Sequence, residues 1–495
     1  MKWILGLVLA LSAPRGIGAA TANHDELYKE LRPLMESIAI LQSSYVDEDK
    51  TKSKALIEGA IKGMVSTLDP FSQYMNLQDS NDMRQETVGS FGGLGIEISL
   101  KNRQLMVISP IEDTPADKAG IKSGDAIVKI NNEPTDGIQL MDAVHKMRGE
   151  PGTKVTLSIF REGFSSTKDF TLTRAIIKIQ SVKSSLLDPA TGYIRLSSFM
   201  GKSAEDFSKA LDTLKAKGIK DLVVDVRNNP GGLLDAAARI AGNFVPKGKL
   251  IVSTDGRNKN KNIRFESEGG AEWKGGLAIL INGGSASASE ILAGAIQDHG
   301  LGVIVGNKSF GKGSVQTILQ LSDGSGLRLT TARYLTPKGR SIHGQGISPD
   351  VVADEELLGK AYLELADLSV FEAFAKEYLV QHPGFSLDED EESKKAVKVS
   401  ESSWEHLKPE TRETKLLKDF LDYARAKTKQ PLEEEMARDR PRFTAKLKEE
   451  LVRRQKGEED ARRVLLLSDT QIRRAMDSLK VGALVRDQAR NARGK

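Results

Sequence analysis

The pattern of hydrophobic and polar positions changes character along this chain, and the changes divide it. Between His24 and Leu68 apolar residues recur at helical spacing. Leu27, Leu31, Leu34, Ile38 and Leu41 form one stripe, and a second helix is predicted near Lys54 to Leu68, stopping before Asp69-Pro70. Such stripes pack on a core or on a partner helix. Short strands and two short helices follow. Phe91-Gly92-Gly93-Leu94-Gly95-Ile96 opens the series, and Thr114 caps a helix with Pro115 in its first turn and Gly120 at its end. Ala126–Ile130 and Lys154–Phe160 read as strands, Asp136–Met147 as a helix, and Phe170–Thr173 closes the unit. From 190 to 353 strand and helix alternate. Strands are predicted at Gly192–Ser198, Leu222–Val226, Gly302–Val305, Val315–Leu321 and Leu327–Tyr334, with helices from Ser203 and from Leu233 and a hairpin at Lys249–Ser267. That alternation argues for a layered α/β domain. The remainder is helical and charged: one helix over Glu356–Gln381, a polar run at Asp388–Ser403 that reads as a flexible linker, then three more helices. These charge runs read as solvated helix faces; the sharper alternative is an oligomerisation or regulatory arm.

One stretch organises the rest. Ala278–Ile281 is a buried-strand pattern, broken by Asn282-Gly283-Gly284. Ser285-Ala286-Ser287-Ala288-Ser289-Glu290 then enters an alanine- and leucine-rich helix, with Ser287 and Glu290 spaced as a capping box. Three serines therefore sit at a helix N-terminus, where free N–H groups and positive partial charge can receive an oxyanion. By itself the pattern is satisfied by helix capping alone. A second loop, Phe310-Gly311-Lys312-Gly313-Ser314-Val315-Gln316, sets a lysine between two glycines. A lysine driven into an apolar pocket loses proton affinity and can activate a serine.

Composition narrows the setting. The chain has 495 residues, enough for three or four domains, and a formal net charge of +4, which gives no reason to expect a nucleic-acid partner. With no cysteine, disulfides, thiol nucleophiles and cysteine-ligated zinc are excluded. Lys2, the apolar run Trp3–Leu11 and the small residues Gly18–Ala22 form a secretory signal pattern, with cleavage expected after Ala20 or Ala22. The run is short for a bilayer span, so an exported, periplasmic protein is expected ahead of a membrane-anchored one.

Three chemistries compete for the lysine loop. A P-loop is opposed by Gly313, where serine or threonine is needed for magnesium, and by a strand pattern after the lysine where a helix is required. A serine–histidine site has few candidates. His24, His382 and His406 lie outside the α/β stretch and His145 lies in the preceding unit. His299 is twelve residues along the helix from Ser287, about 18 Å, leaving only His343. In a serine–lysine pair the lysine pKa must fall by ~2–3 from about 10.4, at roughly 3–4 kcal/mol, which burial can supply. Positions 312, 314 and 316 of a strand share a face, so Gln316 could accept from the amine and direct it.

Two resemblances sharpen this. In size and element order residues 89–174 resemble a PDZ domain, which binds C-terminal peptide tails by strand addition. That implies a tail-carboxylate site at Gly93, Leu94 and Gly95, with Leu140, Met141, Val144 and Met147 either lining the groove or packing the core. SASASEILAGAIQD, GNKSFGKGSVQ, DVRNNPGG and TPKGRSIHGQGISPD together closely resemble the carboxy-terminal processing (tail-specific) proteases, over roughly residues 40–353. The resemblance implies Ser287 as nucleophile, Lys312 as base, Gln316 as its assistant, and an oxyanion hole from the Ala288 N–H and a glycine of the NPGG turn, Gly231 rather than Gly232. It implies a crotonase-like layered protease core with an inserted PDZ-like domain and helical N- and C-terminal regions. The boundaries expected are 1–22 signal peptide, 23–88 helical, 89–174 PDZ-like, 175–355 protease core and 356–495 charged helical. It implies no metal or organic cofactor. The partners expected are protein or peptide substrates with free C-terminal tails, and a homo-oligomer through the helical termini is allowed. A non-catalytic tail-binding scaffold of the same shape is the alternative class.

Overall fold

The computed structural model describes residues 24–77, 79–80, 90–101, 104–111, 114–122, 124–138, 140–161, 166–269, 273–354, 359–385 and 412–493. The signal pattern and the polar run at 388–403 lie outside them. The chain forms two compact units, one built from its N-terminal part with Gln316–Thr330, the other from the rest.

In the first unit, helices His24–Ser44 and Ser53–Ser66 are followed by a strand the sequence pattern did not reveal, Gln73–Met75, which pairs antiparallel with Gly326–Arg328. Asp69 makes the turn between helix and strand: its carboxylate accepts the Phe71 and Ser72 N–H groups at 2.7 and 2.8 Å. The predicted stripe on the first helix does not enter a core. Leu27 is 50% exposed and Leu41 41%, with Leu31, Leu34, Met35 and Ile40 also in the open. Full burial of such a side chain is worth about 1.5–3 kcal/mol, so this face has unclaimed driving force for association.

The second unit begins with the PDZ-like fold. Its sheet runs Ile96–Lys101, Gln104–Pro110, Ala126–Ile130, Lys154–Phe160 and Lys168–Thr173, each strand antiparallel to the next, over a core that includes Leu105, Ile127, Leu157 and Met147. Its long helix starts later than predicted, at Leu140, and ends at Met147.

A six-stranded sheet then runs in the order Val182–Asp188, Thr191–Leu196, Asp221–Asp225, Gly276–Ile281, Val303–Gly306, Val351–Val352; all neighbours but the first pair are parallel. Parallel strands need cover on both faces, and the residues alternate accordingly. Leu222, Val224, Leu277, Ile279 and Ile281 point into a core shared with Phe207, Ala237, Ile291 and Leu292 of the neighbouring helices. Val223, Ala278, Leu280 and Val305 point the other way, against Ile472, Ala475, Met476 and Leu479 of the last helix, Thr470–Arg493. Residues from the last described helix therefore complete the cover of this sheet.

The C-terminal region differs from its predicted outline. The first helix is two, Lys360–Asp367 and Val370–Gln381, broken at Ser369 with φ +54°. Among the described residues five α-helices rather than three follow: Arg412–Ala424, Leu432–Arg438, Arg440–Lys456, Glu458–Ser468 and Thr470–Arg493. The first three of these, with Lys360–Asp367 and Val370–Gln381, enclose an aromatic core in which Phe371 stacks on Phe420 at 4.8 Å. Nor are all the charges solvated. Glu450 is 1% exposed and accepts from Lys446 at 2.9 Å, Arg453 at 2.6 Å and Arg454 at 3.1 Å. Burial pushes its carboxyl up, but these cations outweigh it and hold it below the usual glutamate range. Among the described residues no helix is long and apolar enough to cross a membrane.

Candidate active site

The strand Gly276–Ile281 delivers the serine turn and the helix Ala288–His299 carries it away. The turn itself distinguishes the three serines. Ser285 and Ser289 are fully buried, and each hydroxyl is committed to the backbone of the 226–229 segment: Ser285 donates to the Val226 carbonyl at 2.8 Å, Ser289 to the Asn229 carbonyl at 2.9 Å. Ser287 is half-buried and reaches solvent. Its φ of +55° with ψ −113° is a strained conformation for a residue with a Cβ, costing roughly 1–3 kcal/mol. Strain of this kind persists where surrounding structure over-determines it, and it tilts the hydroxyl-bearing carbon out of the helix line.

Glu290 is what over-determines it. The expected capping partnership with Ser287 is present, but the carboxylate does more than cap. One oxygen, Oε2, accepts the backbone N–H of Ser287 at 2.8 Å and that of Lys312 at 2.9 Å. The other accepts the Ser309 hydroxyl at 2.5 Å and the Gly311 N–H at 2.7 Å. Two amides sharing one oxygen put the backbone nitrogens of Ser287 and Lys312 within about 6 Å of each other. Residues 25 positions apart in the chain are thereby held side by side. Glu290 is fully buried, and burial pushes its carboxyl above the usual glutamate range against the pull of those four hydrogen bonds. From the sequence Glu290 reads only as a helix cap. Its role as a clasp between two loops needed the tertiary contacts.

The lysine loop is in turn pressed against residues 342–346. A Cβ on Gly313 would lie 2.3 Å from the His343 nitrogen, so only glycine fits there; the Gly344 N–H donates to the Gly311 carbonyl at 2.9 Å. Lys312 is half-buried in the loop, one residue short of the strand Ser314–Gln320. The expectation that 312, 314 and 316 share a strand face therefore holds only from Ser314 onward. Gln316 belongs to the first unit, where its Nε2 donates to Thr330 Oγ1 at 2.6 Å and its Oε1 is buried with no hydrogen-bond partner among the described residues. The strand after Lys312 rules out the P-loop geometry. His299 is spent on the Leu250 carbonyl at 2.7 Å.

The NPGG turn lies against the serine. A Cβ on Gly231 would come 2.7 Å from Ser287 Cβ and 3.0 Å from the Ala288 nitrogen. The Asn229 carbonyl accepts the Ala286 N–H at 3.0 Å, and Asn282 bridges to Asn228 through its side chain. The Ala288 N–H opens the helix, among the amides that lack an intrahelical acceptor. The Gly231 N–H donates to Asn229 Oδ1 at 2.9 Å.

In the PDZ-like unit, Gly93 ends a short strand paired with Ala175–Lys178, and Leu94 is buried in the core. The Leu94 carbonyl accepts from Ala116 N–H at 3.0 Å and the Gly95 carbonyl from Ile111 N–H at 2.8 Å. Because a trans peptide sets C=O and N–H on opposite sides, the Gly95 and Ile96 N–H groups point the other way. Thr114 does not cap its helix as predicted; its hydroxyl donates to the Ile111 carbonyl at 2.5 Å and so props this loop. Met147 and Leu140 pack on the core, and the Val144 side chain is half-buried.

With this geometry in place, similarity to known proteins is specific. The Peptidase family S41 model matches residues 190–353, the PDZ domain model residues 83–160, and the model of the activating protease CtpB N-terminal domain residues 12–79. A carboxy-terminal-processing protease of Bartonella bacilliformis is 45% identical over 345 residues, 68% of this chain and 78% of that one. The carboxy-terminal processing protease CtpB of Bacillus subtilis is 39% identical over 337 residues, 67% of this chain and 70% of that one. Among solved structures, the photosystem II D1 C-terminal processing protease is 31% identical, covering 65% of this chain and 92% of that chain with a TM-score of 0.40. The chain belongs to peptidase family S41, the carboxy-terminal processing proteases, which are serine-type peptidases, and it carries a PDZ domain. None of the three family matches extends past residue 353.

Replacing Glu290 by Gln tests the clasp. An amide can accept on one side only, so its NH₂ would face either the Ser287 and Lys312 amides or the Ser309 and Gly311 pair. We expect a stability loss of about 2–4 kcal/mol from the buried donors left unpaired and a fall in kcat of at least ~10-fold. Denaturant titration and steady-state cleavage read the two; wild-type kcat in Glu290→Gln would refute the clasp.

Proposed function

We propose that this chain is an endopeptidase of exported proteins in which Ser287 and Lys312 form the catalytic dyad. The Lys312 amine takes the Ser287 proton as Oγ attacks the scissile carbonyl, then returns it to the leaving amine. An ester to Ser287 remains, and a water deprotonated by the same amine hydrolyses it. The observation that carries the reading is the single Glu290 oxygen shared by the Ser287 and Lys312 amides. The oxyanion would be received by the Ala288 N–H and by the turn at Gly231, whose amide must first leave Asn229 Oδ1. By the family resemblance Gln316 would accept from the lysine amine. The reading needs no metal or cofactor.

Substrates would be gripped by their C-terminal carboxylate at Gly93, Leu94 and Gly95, where the outward Gly95 and Ile96 amides offer charge-assisted hydrogen bonds. Tethering then raises the local concentration of scissile bonds. An unfolded substrate with an amidated C-terminus should be cleaved roughly tenfold more slowly at sub-saturating concentration than the same chain with a free carboxylate. Equal rates would remove the tail-recognition part of the reading. The open leucine face of His24–Ser44 supports a homo-oligomer through the N-terminal helices.

One observation keeps a second reading alive. His343 Nδ1 is buried without a partner among the described residues, and the His343 backbone abuts the lysine loop. A Ser287–His343 site would show itself by losing activity in His343→Ala and keeping it in Lys312→Ala.

A further inference from the structure

The residues that match the S41 family end at 353, yet two side chains beyond that point reach the back of the oxyanion turn. Arg227 is the second residue after the strand Asp221–Asp225 and leads into Asn228-Asn229-Pro230-Gly231. It wraps Asp225, giving that carboxylate its backbone N–H at 2.9 Å, Nε at 3.0 Å and Nη2 at 2.7 Å. Asp225 also accepts from Tyr193 at 2.7 Å and Arg195 at 2.9 Å. That leaves Nη1 of Arg227, and the C-terminal region takes it: Asp469 Oδ2 and Gln471 Oε1 each accept from it at 2.8 Å.

Both acceptors are themselves fixed. The other oxygen of Asp469 accepts the Gln471 and Ile472 N–H groups at 2.8 and 3.0 Å, capping the last helix. Gln471 is 2% exposed, and its Nε2 donates to the Ala353 carbonyl at 2.6 Å and to Asn307 Oδ1 at 3.0 Å. Asn307 is the first residue after the strand Val303–Gly306 and stands at the root of the lysine loop. The start of one helix thus joins the segment behind the oxyanion turn to the segment behind the base. The helix itself cannot drift, because Ile472, Ala475, Met476 and Leu479 seal one face of the sheet.

We propose that Asp469 and Gln471 are positioning residues for catalysis: by holding Arg227 and Asn307 together they set the spacing of the oxyanion turn and the lysine loop across Ser287. This rests on the Ser287–Lys312 reading, and it makes the C-terminal helical region part of the active site's framework. An oxyanion donor displaced by a fraction of an ångström loses much of its worth in the transition state while leaving substrate binding untouched. The signature is therefore a change in kcat with KM preserved.

The test uses the full chain and an unfolded protein substrate with a free C-terminus. Asp469→Ser keeps a side-chain oxygen for the helix cap but is too short to reach Arg227. Gln471→Met removes the second acceptor together with the Nε2 donor that holds Asn307 and the Ala353 carbonyl, and leaves the cap alone. An open cavity of about 480 Å³ lined by Arg195, Arg227, Arg442 and Asp469 lets water solvate the released Nη1, so the variants are expected to fold. We expect kcat to fall ~5–50-fold in Asp469→Ser and at least as much in Gln471→Met, with KM within about twofold, an unchanged melting temperature in Asp469→Ser, and recovery of most of the activity in Asp469→Glu. Wild-type kcat in both variants overturns the proposal, as does a loss that merely follows the loss of folded protein. Ser287→Ala in the same assay separates the two claims: cleavage that survives it refutes the dyad reading, whereas Ser287-dependent cleavage indifferent to Asp469 and Gln471 refutes only the brace.

Discussion

Ser287→Ala is expected to abolish cleavage, lowering kcat by roughly 10⁴-fold or more, as removal of a serine nucleophile does elsewhere. The structure explains why this serine and not its neighbours should show so clean an effect. Ser285 and Ser289 are buried and hold the turn to the Val226 and Asn229 carbonyls. Removing the Ser285 hydroxyl leaves the buried Asn282 N–H, which donates to it at 2.9 Å, without that acceptor, at about 1–3 kcal/mol, and removing the Ser289 hydroxyl takes one of two donors from the Asn229 carbonyl, so loss of activity there would arrive with loss of stability. Ser287 is held instead by its backbone, through the N–H bonded to Glu290. Alanine keeps that bond, and the most it forgoes in stability is a helix cap, about 0.5–2 kcal/mol. The variant should fold, keep its near-native melting temperature, and fail to react with a fluorophosphonate probe that labels the wild type. Labelling that persists in Ser287→Ala would move the nucleophile elsewhere.

Lys312→Ala should cost about 10²–10⁴ in kcat, the range for a general base, again with small structural consequences, since the loop is pinned by the Lys312 N–H rather than by the side chain alone. Lys312→Arg should fail to rescue it. A guanidinium keeps the positive charge but cannot give up its proton near neutral pH. The sign of the pH dependence follows from the same chemistry: the base works only when unprotonated, so wild-type kcat should rise toward mildly alkaline pH and the residual rate of Lys312→Ala should lose that rise. A fully active Lys312→Ala beside an inactive His343→Ala would hand the role to the histidine.

The arrangement shows what kind of information each loop carries. The strand-to-helix serine turn was legible because its signals are local: an apolar run, a glycine break, a capping box. The lysine loop was legible as chemistry, but its pairing with Ser287 came only through the family resemblance, since nothing in the spacing of 287 and 312 brings the two together. Glu290 was read as a cap because a cap is what its sequence neighbours define; its bonds to Ser309, Gly311 and Lys312 come from a different part of the fold. Nothing in the sequence around Asp225 and Arg227 marks them as a buried pair. Only burial of the Asp225 side chain makes their pairing compulsory, and burial is a property of the packed sheet.

The N-terminal helices and the C-terminal region fared differently for the same reason. A stripe of leucines predicts that a face will be covered without saying by what, and on His24–Ser44 no described part of the chain covers it. Charged helices at 412–493 looked solvated because composition cannot distinguish a glutamate facing water from one ringed by Lys446, Arg453 and Arg454.

By itself the sequence determined the elements that follow from short-range periodicity: the alternating strands and helices, the glycine breaks, the residue types able to attack, to take a proton and to bind a chain end. Tertiary structure decided which of those residues face one another. The strand Gly276–Ile281 is buried at all its positions, so it demanded a layer on each side; that the second layer is a helix nearly two hundred residues later is a matter of long-range packing, where many apolar stripes satisfy the same demand and only shape and hydrogen-bond satisfaction choose among them.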